Sequence, residues 1–141
     1  MKHKLVLLAL FATCLSFTAC EEDKDSYDFS ESMPAYVEIK SKTALTVEEG
    51  ATATVTFQSR EAFQQAKTLT YEIAGAYNAT GTVVLPRNTL STALTFTVPT
   101  GVVPAGSETA VASLSLTDAD GLSVGRKGAD KEVVTINITK K

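Results

Sequence analysis

Tryptophan, histidine and cysteine are absent or scarce in this chain of 141 residues, which holds no tryptophan, one histidine and two cysteines. His3 and Cys14 lie close to the amino terminus, so the remainder keeps only Cys20. Without histidine the remainder lacks the usual base for a serine or cysteine nucleophile, and it lacks the ligands of a zinc site. One cysteine cannot form an intrachain disulfide, so packing must stabilise the fold.

The charge balance excludes further classes of function. The net charge is −3, whereas nucleic-acid binding needs a basic face. Two carboxylate pairs, Glu48 with Glu49 and Asp118 with Asp120, are candidates for glycoside hydrolysis, but the run Asp-Ala-Asp-Gly is more typical of a turn. We therefore predict no enzymatic activity, no cofactor and no nucleic-acid partner.

A cationic start and an uncharged apolar run open the chain. Lys2 and Lys4 precede residues 5–17, thirteen residues without a charge. A helix of that length rises about 20 Å, which is short of the hydrocarbon layer of about 30 Å. Residues 1–19 are therefore predicted to be a secretory signal peptide rather than a membrane span.

Two small residues, Thr18 and Ala19, stand directly before Cys20 in the run Phe-Thr-Ala-Cys, and this run resembles the processing box of bacterial lipoproteins. The resemblance implies that residues 1–19 are removed, that the Cys20 sulfur carries diacylglycerol and that its amino group is acylated. Each buried methylene contributes about 0.8 kcal/mol, so several acyl chains hold a protein firmly in a membrane. The implied partner of this anchor is the outer membrane.

Acidic residues follow Cys20 directly. Residues 21–31 hold six acids and one lysine, a composition too polar to form a core. We predict that residues 20–34 are the lipidated cysteine and a disordered acidic tether. The acids also resemble the surface-export signal of lipoproteins in one group of Gram-negative bacteria, which implies exposure on the cell surface. A tether that only repels anionic headgroups is the alternative.

Alternation of apolar and polar residues marks most of residues 35–141, where ten acids balance ten bases. A period of two predicts strands with one buried and one wet face, and threonine, frequent on the wet side, suits a pleated strand. The predicted inward rows are Ala53, Val55 and Phe57; Leu69, Tyr71 and Ile73; Leu94, Phe96 and Val98; Ala110, Ala112, Leu114 and Leu116; and Val134, Ile136 and Ile138. Residues 36–39, continuing through Leu45 and Val47 after a kink, and residues 80–85 are two further candidates.

These patterns predict about seven strands in a single domain over residues 35–141. Antiparallel strands with one apolar face pack face to face, so we expect an all-β, antiparallel, two-sheet immunoglobulin-like sandwich, with a barrel as the alternative. Only residues 61–67 could form a helical turn. The longest irregular stretch is residues 118–131, a candidate ligand loop. Its candidate ligand residues are Asp118, Asp120, Arg126 and Lys127.

The order of features along residues 36–139 resembles the Calx-β domain, an immunoglobulin-like sandwich. Residues 47–55 (VEEGATATV) are similar to the opening strand of that family, and residues 77–86 (YNATGTVVLP) are similar to its middle segment. Residues 95–98 and 106–109 are similar to its later strand pair. The resemblance implies that this fold extends over nearly the whole domain and that the tyrosine at position 77 packs inside it.

Carboxylates at one end of the sandwich hold calcium in the Calx-β family, and calcium needs several oxygen ligands. Glu48 or Glu49 matches the first acidic position of the family, and Glu108 matches a later one. Ala76 and residues 100–101 stand where further acids are expected. The resemblance therefore implies a retained fold and a lost calcium site, with these three glutamates as the remaining candidate ligands.

Together these features predict a surface-anchored, non-catalytic lipoprotein of the outer membrane. Its domain would act as a binding or assembly module for a protein or a glycan. The alternative is a structural subunit of an adhesin-like or uptake assembly that pairs through sheet edges. An exposed edge strand with hydrophobic residues would favour assembly, and a concave aromatic rim would favour a glycan.

Replacement of the lipidated residue tests the anchor. The Cys20→Ala chain has no sulfur to acylate, so we expect it to accumulate as an uncleaved precursor of 141 residues. Mass spectrometry of the chain recovered from membranes measures both the cleavage and the acyl groups. A variant that is still processed and still acylated would contradict the assignment.

Overall fold

Nine β-strands form the part of the chain that the computed structural model describes, residues 34–41, 43–126 and 131–141. They are β1 (Tyr36–Ile39), β2 (Ala44–Glu48), β3 (Thr52–Ser59), β4 (Lys67–Gly75), β5 (Ala79–Leu85), β6 (Ser91–Thr97), β7 (Thr109–Asp118), β8 (Ser123–Val124) and β9 (Val133–Thr139). The predicted signal peptide, Cys20, the tether up to Met33, and Lys127 lie outside the described residues.

The strands form two separate sheets, in the orders β6-β3-β1-β8 and β2-β9-β7-β4-β5. Neighbours are antiparallel except for two parallel pairs, β1 with β8 and β2 with β9. The predicted all-β, two-sheet sandwich is confirmed, whereas the barrel alternative is wrong. The sheets are mixed rather than purely antiparallel, and there are nine strands instead of about seven because β2 is separate from β1 and because β8 forms.

The chain changes sheets between β1 and β2. Val37 of β1 pairs with Ser59 of β3 in the four-stranded sheet, whereas Val47 of β2 pairs with Ile138 of β9 in the five-stranded sheet. Val37 and Val47 are both buried. The predicted kink is therefore a passage from one layer of the sandwich to the other.

The core lies between the inner faces of the two sheets, and the alternation of the sequence places it there. Each predicted inward row supplies buried residues, and the intervening threonines and serines face outward. The side chains that are less than 2 % exposed are Phe57, Ile39, Leu69, Ile73, Leu85, Leu114, Ile136, Ile138, Val37, Val55, Val98 and Val134. This apolar layer is the principal source of stability, because burial removes it from water.

Two local predictions about loops are wrong. Residues 61–66 form no helix, and the described part of the chain holds none; instead the Asn88 amide donates to the Phe63 carbonyl at 2.7 Å. Residues 118–131 are not irregular throughout, because β8 forms within them. The amide of Ser123 donates to the Ala35 carbonyl at 3.1 Å, and that of Gly125 donates to the Val37 carbonyl at 2.8 Å. These long-range partners cannot be inferred from a local pattern.

Within residues 34–41, 43–126 and 131–141, no helix is long and apolar enough to cross a bilayer.

β5 and β6 are edge strands of different sheets that lie on the same flank of the sandwich. β5 ends the five-stranded sheet and β6 ends the four-stranded sheet. Residues 86–90 connect the two strands, which also contact each other across the layers. At the other ends of the sheets, β2 has five residues and β8 has two. The longer edges of both layers therefore share one flank, here called the β5–β6 flank.

Truncation of a central side chain tests the core. Phe57 is fully buried, whereas the next residue, Gln58, faces outward on the same strand. We expect Phe57→Ala to lower the free energy of unfolding by about 3–5 kcal/mol, because it leaves a cavity between the sheets. Gln58→Ala should change it by less than about 0.5 kcal/mol. Urea unfolding measures both values, and equal effects would contradict the assigned faces.

Candidate functional site

Asp118 and Asp120, two of the candidate ligand residues of the predicted loop, lie in a turn. Asp118 ends β7, and its Oδ2 accepts a hydrogen bond from the Asp120 amide at 3.1 Å. Asp120 has a φ of 53°, in the left-handed region that aspartate tolerates. Lys67 Nζ lies 3.6 Å from Asp120 Oδ2 and donates to its carbonyl at 3.3 Å. Because the Asp118 carboxylate serves the turn, the geometry does not resemble a pair of carboxylates flanking a cleft.

The structure describes three of the four predicted loop residues, Asp118, Asp120 and Arg126. Ala119, between the two aspartates, is fully buried and anchors the turn in the core. Arg126 is exposed at the end of the described segment, and Lys127 lies outside it. A shared ligand site for these residues therefore stays a prediction.

The three candidate calcium ligands differ in environment. Glu48 is exposed at the end of β2, and Glu108 is exposed just before β7. Both strands flank β9, since Glu48 and Thr109 lie in register with the same residue, Thr139. Across the described ranges, no three or more His, Cys, Asp or Glu side chains are grouped so that they could hold a metal ion.

Glu49 is buried, with 8 % of its surface exposed, and it joins two connections at one end of the sandwich. Its Oε1 accepts a hydrogen bond from the Val103 amide at 2.7 Å. Its own amide donates to the Thr139 carbonyl at 3.0 Å, and the Gly50 amide donates to the Val98 carbonyl at 3.0 Å. A buried carboxylate is costly unless it is hydrogen-bonded, so this glutamate acts as an internal clamp on the connection between β6 and β7.

Two tyrosines fill the region where β4 meets β5. Tyr71 lies opposite Gly81, and a Cβ on Gly81 would stand only 2.6 Å from the Tyr71 hydroxyl oxygen. The Tyr77 hydroxyl is buried and, among the described residues, has no hydrogen-bond partner. Burial, and secondly the neighbouring Tyr71, raise the pKa of Tyr77 above the ordinary tyrosine value. Tyr77 is partly buried and packs against the core, as the family resemblance implied.

Sequence patterns alone do not identify the β5–β6 flank as a candidate site. Residues 79–85 and 91–97 contain no charged residue and no proline. The register between β4 and β5 runs from Lys67 with Leu85 to Ile73 with Ala79 without a bulge. Lysines, prolines and bulges are the usual devices that keep a free edge from pairing, and this flank has none of them within its strands. The uncharged runs are visible in the sequence, but only the topology shows that both are edges.

An exposed hydrophobic side chain stands on this flank. Val84 of β5 is 52 % exposed on the outer face of the five-stranded sheet, next to Thr68 of β4. Val111 of β7, in the middle of the same sheet, is exposed to a similar degree, 57 %. The flank therefore combines unpaired backbone with an apolar side chain, whereas the sheet interior offers only the side chain.

Comparisons with known proteins bear on the fold. No protein-family model and no curated protein matches this chain. Among solved structures, the apo form of the Calx CBD1 domain is similar, with a TM-score of 0.59 and 14 % identity over 77 % of this chain and 98 % of that one. The CARDB domain of a Pyrococcus furiosus protein, in complex with di-metal ions, has a TM-score of 0.36 and 16 % identity over 77 % of this chain and 94 % of that one. The first likeness shows the fold alone, an immunoglobulin-like β-sandwich.

The adjacent glutamates give a matched test of the clamp. Glu49→Ala removes the acceptor of the Val103 amide and leaves that buried group unpaired, which should lower the free energy of unfolding by about 1–3 kcal/mol. Glu48→Ala, at an exposed position, should change it by less than about 0.5 kcal/mol. Denaturant titration distinguishes the two, and a Glu49→Ala chain as stable as the Glu48→Ala chain would contradict the clamp.

Proposed function

We propose that this protein is a lipid-anchored, non-catalytic assembly module of the bacterial outer membrane, in which the β-sandwich contacts a protein partner through the β5–β6 flank. The anchor part of the proposal rests on the sequence: the signal-like residues 1–19, Cys20 and the acidic run after it. The contact part rests on the geometry of the flank.

The main support for the proposed contact is that two uncharged, unprotected edge strands lie side by side on one flank. An edge strand presents a row of unpaired amide and carbonyl groups, which a further strand can satisfy. A seven-residue edge offers enough backbone to hold a strand in register, and Val84 supplies exposed apolar surface beside it. The residues that would face an incoming strand carry no charge that could repel it.

The alternatives find less support in the described residues. Sugars stack on exposed aromatic rings, but every aromatic side chain in that part of the chain is half-buried or buried. Hydrolysis of a glycoside needs two carboxylates across a cleft, but Glu49 is bonded to the Val103 amide and Asp118 to the Asp120 amide. The edge flank is therefore the feature on which the proposal is built.

Two matched valines test the flank in the full-length chain. A lysine at an edge opposes strand addition, so Val84→Lys should lower the fraction of the protein found in a larger complex by roughly fivefold. Val111→Lys introduces the same charge at a similarly exposed position in the middle of the sheet and should leave that fraction unchanged.

The measurement is a native gel of membranes dissolved in a mild detergent, with circular dichroism to check that both variants fold. A single-chain mass for the unaltered protein, or equal effects of the two lysines, would contradict the proposed assembly through this flank.

A further inference from the structure

We infer that the partner at the β5–β6 flank is a second copy of this chain, paired through β5 in antiparallel orientation about a two-fold axis at Thr82. This inference rests on the proposed function and adds the identity of the partner and the register.

The sequence of β5 is self-complementary in that arrangement. With Thr82 opposite Thr82, the outward-facing Thr80 of each copy lies opposite the outward-facing Val84 of the other copy. The inward residues pair as Gly81 with Val83. β-Branched residues facing each other stabilise an antiparallel pair, and the pairing brings no like charges together. A strand with even one lysine or glutamate near its centre would oppose its own copy.

The two-layer architecture extends this match to the second sheet. The two-fold axis of an antiparallel strand pair is perpendicular to the sheet, so it carries each layer onto the same layer of the other copy. When β5 meets β5, β6 therefore comes face to face with β6. Residues 91–97 are uncharged as well. Both layers of the sandwich are thus compatible with one two-fold contact.

The short edge strands β2 and β8 explain why the contact joins only two copies. β2 is five residues long and ends at the exposed Glu48, and β8 is only two residues long. A contact that uses the same flank in both copies leaves these poorer edges outside and is complete as a dimer. A head-to-tail chain of copies would instead need a long free edge on the opposite flank, where the described edge strands β2 and β8 are short.

The size of the flank sets the strength of the dimer. Strands of seven residues in two packed layers present a surface of roughly 24 Å by 20 Å. Pairing two such surfaces would bury about 1,000 Å² in total, the lower limit for a specific interface. A contact of this size is weak between free proteins, but anchoring both copies in one membrane raises their effective concentration. The dimer is therefore to be sought in the anchored, full-length chain.

Cysteine cross-linking tests both the partner and the register. Opposed residues of an antiparallel pair have Cα atoms about 4.5–5.5 Å apart, within the range that a disulfide spans. In membranes treated with a mild oxidant, Thr82→Cys should give a reducible band of twice the chain mass. The matched control is Thr46→Cys, at an exposed position on β2, the strand at the opposite edge of the same sheet. It should give about tenfold less of that band, and the unaltered chain controls for its native cysteines.

A second pair of variants checks the register. Thr80→Cys and Val84→Cys should each cross-link weakly alone and strongly when expressed together, because residue 80 lies opposite residue 84. Equal yields from Thr82→Cys and Thr46→Cys would indicate random collision and overturn the inference. A disulfide from Thr82→Cys to a protein of different mass would also overturn it, while leaving the proposed assembly function intact. If Thr82→Cys forms no cross-linked dimer while Val84→Lys still disrupts a complex, the inference is likewise overturned and the proposed assembly function is left intact.

Discussion

Contact between two apolar sheet faces is the interaction on which this structure depends. The described strands have no disulfide and no helix to support them, so each must bury one side against the other layer. Among the described residues, Glu49 and Ser59 are the buried polar residues and both are hydrogen-bonded, whereas the partly buried Tyr77 leaves its hydroxyl without a partner. Glu49 accepts from the Val103 amide, and the Ser59 hydroxyl donates to the Glu61 carbonyl at 2.8 Å. The chemistry available to partners is thereby confined to loops, outer faces and edges.

The sequence predicts the composition of this core well and its connectivity poorly. A period of two identifies which residues face inward, because alternation is a local property of a strand, and Phe57 and Leu114 are buried as predicted. Strand order is set by contacts between distant segments. The parallel pairing of β2 with β9 and the formation of β8 beside β1 leave no local signal. The kink after Ile39 is predicted, but the sequence does not show that the chain changes sheets there. The position of β5 and β6 at the sheet edges is likewise set by contacts between distant segments.

At the candidate site, too, the sequence predicts the residue types but not their contacts. Glutamates near the turn after β2 fit a carboxylate cluster by residue type, but the partner of Glu49 is an amide 54 residues further along the chain. A backbone donor has no signature in a sequence. At this end of the sandwich, where the Calx-β resemblance places acids, the chain has Ala76 and residues 100–101 without a carboxylate. Hydrogen bonds within the protein hold the loops together at this end of the sandwich.

The unprotected flank is best understood together with the tether. Free edges without lysine or proline promote uncontrolled pairing in a diffusing protein, and natural sheets are usually selected against them. An anchor of the kind proposed for Cys20 would restrict neighbouring copies to one plane. A flank that is self-complementary only about a two-fold axis would then limit growth to a closed pair, because the remaining edges, β2 and β8, are short. If the proposed contact exists, the absence of charge in β5 and β6 is the feature that permits it.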